Sequence, residues 1–182
     1  MFHNNTQRLI DLWTELKGIG PAPLRSRFDP GVFEGALPQA FMISRTPGLP
    51  FRLAGALLED IHGRSLHGES FLNLWASESR AAVRDAAVAA IRGVSPAILY
   101  AEGRTDHDRR AGFEMTIAPL TGPDAKIDRL VGLCQPISAL VRLHEETVIE
   151  LQHRLTVYAG ASRPGGVGPA LRLAAVDGRR IA

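Results

Sequence analysis

The stretch from residue 77 to residue 137 constrains this chain's fold more than any other. Over residues 77–92 alanine is abundant; Val83, Ala87, Ala90 and Ile91 fall on one helical face, with Arg80, Arg84 and Asp85 on the other. That is the pattern of an amphipathic helix, and Gly93 and Pro96 stop it. Three β-type segments follow, at 97–102, 113–120 and 130–137. In the second, Phe113, Met115 and Ile117 alternate with Glu114, Thr116 and Ala118, the period-two signature of a strand with one wet face. Polar loops at 103–110 and 121–128 separate the three, so an antiparallel meander is the economical connection.

The chain ahead of that helix supplies the rest. Asn5-Thr6 is a helix start, and Leu9, Leu12, Trp13 and Leu16 then line one face until Gly18, Pro21 and Pro23 end it. An amphipathic helix of this kind must cover a sheet, a partner or a second copy. Asp29 before Pro30 reads as a turn-former. Residues 40–44 and 51–54 are short β-prone runs around Pro47-Gly48-Leu49-Pro50, a hairpin pattern. Short helical pieces follow at 56–61 and from Ser70 to Trp75, with Gly63 and Gly68 bracketing the loop between them. The expected fold is α+β: a five-stranded antiparallel sheet with short helices on one face and an N-terminal amphipathic helix. Residues 138–160 suit a helix or an added strand, residues 163–168 a connector, and residues 171–176 a last strand or a tail. The expected organisation is therefore a helix over 1–20, one domain over 21–140 and a C-terminal extension over 141–182.

Charge and cysteine content narrow the functional classes. The net charge of +2 comes from scattered arginines, with basic groups at Arg104, Arg109 and Arg110, at 163–172, and at Arg179 and Arg180. A nucleic-acid footprint is denser and interleaved with aromatics, so no nucleic-acid partner is expected. Cys134 is the only cysteine; it cannot form an intramolecular disulfide, and its apolar neighbours Leu130, Val131 and Leu133 mark it as a buried small hydrophobe. The first residues are polar and no run of about 20 apolar residues occurs, so a soluble, cytoplasmic protein with no membrane partner is expected. Asp106, His107 and Asp108 sit together among arginines in a polar loop, a poor frame for a preorganised site. No phosphate loop, His-Glu-x-x-His or Cys-x-x-Cys pattern is present. No catalytic or metal-binding residue is assigned, and the chain does not read as an enzyme.

Several stretches carry a resemblance. They are Trp13, Arg27-Phe28-Asp29-Pro30, Phe51-Arg52-Leu53-Ala54-Gly55, the run from Gly63-Arg64-Ser65 through Phe71-Leu72-Asn73-Leu74-Trp75, and Glu114 with Ile117-Ala118-Pro119-Leu120. Over roughly residues 5–140 the chain resembles a bacterial subfamily of short, stand-alone Per-Arnt-Sim (PAS) proteins, a single PAS domain without an output domain. The resemblance implies a sensory or regulatory role in signal transduction, through a small ligand in the fold's concave pocket or through a partner such as a histidine kinase or a second-messenger enzyme. A pure interaction scaffold that works as a homodimer through the first helix and the open sheet face is the alternative.

In a PAS-like fold Phe41, Ile43, Leu53, Leu58, Phe71, Trp75, Val83 and Met115 are the candidates to line that pocket, Trp75 serving first as a core anchor. Arg52, Arg64 and Glu114 are the candidate polar or anion contacts, with an Arg52–Glu114 ion pair as the plainer structural reading. His62 and His67 read as solvated loop residues. No cofactor is expected: the 77–92 helix holds no histidine or cysteine for haem, and Cys134 is misplaced for flavin photochemistry.

Overall fold

The computed structural model describes residues 2–28, 30–159 and 172–174. The Asp29 turn, the 163–168 connector and the basic groups at 163–171 and 179–180 lie outside the described residues. The helix expected over 77–92 opens with a 3-10 turn, Ser77–Ser79, and continues as an α-helix over Arg80–Gly93 that buries Val83, Ala86, Ala87 and Ala90. It is the third α-helix, α3, after α1 (Asn4–Lys17) and α2 (Ala56–His62).

The five expected strands are β1 (Ala40–Ser44), β2 (Phe51–Ala54), β3 (Ala97–Arg104), β4 (Arg110–Thr121) and β5 (Ile127–Pro136). They pair antiparallel in the order β2-β1-β5-β4-β3. The sheet then continues by two strands: β6 (Glu150–Tyr158) adds to the free side of β3, and β7 (Arg172–Ala174) to β6. Of the two readings open for residues 138–160, the second half takes the added strand. The hairpin between β1 and β2 closes through a turn in which Gly48 (φ 83) and Leu49 (φ 51) are both left-handed, the Leu49 N–H donating to Thr46 O at 2.9 Å.

Two apolar layers hold the sheet. On the inner face α2, α3 and the 3-10 turn Phe71–Leu74 cover a cluster that includes Phe41, Phe51, Phe71, Trp75, Leu99, Phe113 and Met115. On the outer face Leu9 and Trp13 of α1 join Phe28, Ala118, Leu120, Val131 and Leu133, with Leu12 and Leu16 packed beside them. Of the places open to an amphipathic helix, α1 takes its own sheet. It starts at Asn4 with His3 as the cap residue, whose side chain accepts from the Asn5 N–H, so Thr6 is not a cap but a buried residue.

This placement corrects the expectation of a wet face on β4. Glu114, Thr116 and Ala118 are as buried as Phe113, Met115 and Ile117 on the opposite side, because α1 lies over them. Among the described residues no helix is long and apolar enough to cross a membrane.

Candidate functional site

Alternation along β1 and β4 aims Phe41, Ile43 and Met115 at the inner face, where they meet Leu58 of α2, Val83 of α3, and Phe71 and Trp75 of the intervening turn. The rings pack against one another between sheet and helices. Phe41 stacks on Phe71 with centroids 5.6 Å apart, and Phe51 stands edge-on to both at 5.8 Å. Trp75 closes the row, 5.8 Å from Phe71. Offset-stacked and edge-on pairs at such spacings are favourable beyond their buried area.

Phe51 belongs to this row although sequence reasoning did not single it out. Gly132 is the second member missed. It sits opposite Phe41 on β5, where an added Cβ would come within 2.3 Å of Phe41 Cζ and 2.2 Å of Thr116 O. A glycine isolated inside a strand marks such close approaches, and that is the signal in the sequence that could have found it.

Leu53 is not part of the cluster. β1 and β2 pair Met42 with Leu53 but Ile43 with Phe51, so Arg52 is the extra residue of a β-bulge. The bulge turns Leu53 onto the outer side beside Met42, where it is 58% exposed and borders an apolar groove of about 160 Å³ with Leu37 and Val131.

The candidate polar residues do not come together. Arg52 Nε donates to Ser44 Oγ at 2.8 Å on the edge strand β2, and Arg64 pairs with Glu69 at 3.2 Å. Glu114 lies three strands away from Arg52 in the sheet order, about 14 Å at the usual strand spacing, so no Arg52–Glu114 ion pair forms. Glu114 is instead 1% exposed beneath the start of α1, where its Oε1 accepts the His3 N–H at 3.1 Å. A carboxylate there complements the positive end of the helix dipole. Asn5 Nδ2 donates to Gln135 Oε1 at 3.0 Å in the same cluster. Burial and then a hydrogen bond to Glu114 push the cross-strand neighbour Tyr100 up to about 12.

His62 departs from the solvated reading. It is 4% exposed, with Nδ1 2.9 Å from the carbonyl of Val148. A carbonyl only accepts, so Nδ1 carries the proton and Nε2 a lone pair. Burial pulls the imidazole down to about 4. His62 Nε2 and the Trp75 indole N–H, both buried, have no hydrogen-bond partner among the described residues. His67 is exposed, its Nδ1 3.1 Å from Arg52 O.

The Asp106-His107-Asp108 loop is a charge-paired rim. Glu146 accepts from the Thr105 hydroxyl at 2.6 Å and from Arg109 at 2.7 Å, with His107 3.3 Å away. These partners, Thr105 first, hold its carboxyl down to about 2. Arg104 pairs with Glu150, and Arg110 with Glu102 and Asp108, so this basic group is neutralised in place. Among the described residues no cluster of His, Cys, Asp and Glu is arranged to hold a metal ion. Cys134 is buried on β5, and desolvation pushes its thiol up to about 12.

The family model described as PAS domain matches residues 1–135. No curated protein matches the chain. Similar solved structures include a light-oxygen-voltage domain studied with a flavin analogue, at 11% identity over 63% of this chain and 87% of that one, TM-score 0.49. They also include the light-oxygen-voltage protein of Rhodobacter sphaeroides, at 15% identity over 61% and 69%, TM-score 0.46. A third is the VqmA dimer of Vibrio cholerae in the absence of target DNA, at 9% identity over 59% and 50%, TM-score 0.47.

Proposed function

Given that the chain belongs to the PAS-domain family of sensory signalling modules, matched over residues 1–135, we propose that it is a non-catalytic regulatory module that acts by contact with a partner signalling protein. The observation that carries this reading is the row of rings in the interior. Phe41, Phe51, Phe71 and Trp75 pack ring against ring between sheet and helices, and side chains in such contact take up space that a cofactor would need. The exposed apolar Leu53 bordering the groove with Leu37 and Val131 supports contact on that side, since exposed apolar patches mark interaction surfaces. Affinity capture with the full chain from source cells, with the captured protein identified by mass spectrometry, tests the reading. A signalling protein retained by the wild type and lost with Leu53→Glu is the expected result; capture of the same proteins by both sinks it.

A second reading rests on a different observation. The unpartnered Trp75 N–H and His62 Nε2 offer one donor and one acceptor in the interior, and buried polar atoms normally find partners. A small polar ligand held by either atom supports sensing by occupancy. Mass spectrometry of the purified, denatured protein separates the two readings: a stoichiometric small molecule favours this one.

A further inference from the structure

The turn between β1 and β2 and one side of α3 enclose a surface cleft of about 590 Å³, within the range usual for small-molecule sites. It opens at the outer edge of the inner apolar layer, to which Leu49, Leu72 and Ala87 belong, and away from the sheet face beneath α1. Its floor is apolar, with Leu49, Leu72, Val88 and Ile91, and its rim carries Arg45, Arg84 and Arg92. None of the residues lining it is acidic. Arg84, Val88 and Arg92 follow one stripe of α3 at four-residue spacing, so the two arginines leave the helix about 12 Å apart along its axis, one on either side of Val88.

Six arginines elsewhere on the molecule provide a contrast. Arg25, Arg64, Arg104, Arg109, Arg110 and Arg154 each hold a carboxylate within 3.2 Å. The rim has none: Arg45 donates to the carbonyl of Ile127 at 3.1 Å, and Arg84 and Arg92 make no ion pair among the described residues. The frame is preformed. The Phe71 N–H donates to Leu49 O at 3.1 Å and Ser70 Oγ donates to Gly48 O, which fixes the turn to the neighbouring segment. Leu49 holds a left-handed backbone there although it is not glycine, a conformation that persists only where its surroundings over-determine it.

We propose that this cleft binds a soluble small molecule with an apolar body and one anionic head, the body on Leu49, Leu72, Val88 and Ile91 and the head on the rim arginines. Guanidinium groups stay charged and match carboxylate geometry, and the apolar floor selects a body that a plain inorganic anion lacks. Octanoate, 1-octanol and phosphatidylglycerol vesicles are the probes, titrated into the full chain and followed by amide chemical shifts. Octanoate is expected to shift residues 45–49 and 84–92 saturably and to bind at least about tenfold tighter than 1-octanol. The R84Q/R92Q variant should lose that preference while its spectrum elsewhere stays that of the wild type, and Val88→Glu should abolish octanoate binding. The proposal is overturned by octanoate and octanol binding equally, by shifts centred on Phe41, Phe71 and Trp75, or by an unaltered R84Q/R92Q. Arginine-dependent binding to vesicles without octanoate binding overturns it too. Partner capture through Leu53 and octanoate binding here fail or succeed independently.

Discussion

The indole N–H of Trp13 donates a 2.7 Å hydrogen bond to the carbonyl of Pro119, 106 residues further along the chain. β3 begins opposite Ile117, so β4 has no strand partner on that side at Pro119. The tryptophan of α1 satisfies a buried carbonyl that the sheet leaves open, and Lys17 sits 5.3 Å over the same ring.

Trp13→Phe keeps a large ring against Leu120 and Leu133 but strands the Pro119 carbonyl. The expected loss is about 1–2 kcal/mol, read as a lower urea midpoint with an unchanged slope. A midpoint equal to that of the wild type would mean that the bond contributes nothing.

Deleting residues 1–20 uncovers Ala118, Leu120, Val131 and Leu133, all of which α1 shields. The truncated chain should self-associate or bind a hydrophobic dye such as ANS, because contiguous apolar patches of that kind seek cover. Sedimentation and dye fluorescence of the two chains check it; a monodisperse, dye-silent truncation would contradict α1's role as a cover.

Gly132→Ala forces a methyl group into the ring of Phe41 and the carbonyl of Thr116. Overpacking of a dense core costs about 1–3 kcal/mol, and the backbone oxygen puts this site at the upper end. Phe41→Leu removes one of the two obstacles, so the double variant should be less destabilised than the sum of the singles. Strict additivity in a double-mutant cycle would show that Phe41 is not the obstacle.

What the residues disclosed beforehand, and what they did not, follows from range. The α3 helix, the meander and the β1–β2 hairpin rest on local periodicity and breakers, and these need no knowledge of distant segments. Leu53 was misread because one extra residue at Arg52 reverses the facing of everything after it. Glu114 was given a solvent face because strand alternation cannot say whether a helix from the other end of the sequence lies on top. His62 carries no local sign of burial; the carbonyl that holds it belongs to Val148, 86 residues away.

His62 sets an acid limit on stability. Its folded value near 4 lies below the ordinary 6.5, so the unfolded chain takes up the proton first as pH falls. Stability from this site is intact above about pH 6.5 and is lost progressively down to about pH 4, by about 3 kcal/mol. The difference between the wild-type and His62→Gln unfolding free energies should shrink over that interval. If it stays constant from pH 7 to pH 4, His62 is not the group responsible.

Cys134 should resist alkylation by iodoacetamide in the folded protein at pH 8 and react fully in denaturant. Its thiol is buried and held near 12, and only the thiolate attacks. Fast labelling of the native chain, measured by intact mass, would place the sulfur at the surface.

The strand order β2-β1-β5-β4-β3 also has a kinetic meaning. β3, β4 and β5 are neighbours along the chain and close through short loops, but β1 reaches its place only by pairing Phe41 with Gly132, across most of the domain. Loop closure of that length is paid in entropy before any contact returns it. The first hairpin and α1 must therefore wait, during synthesis, for strands made long after them, and until β4 and β5 arrive the apolar residues of α1 have nothing to lie on.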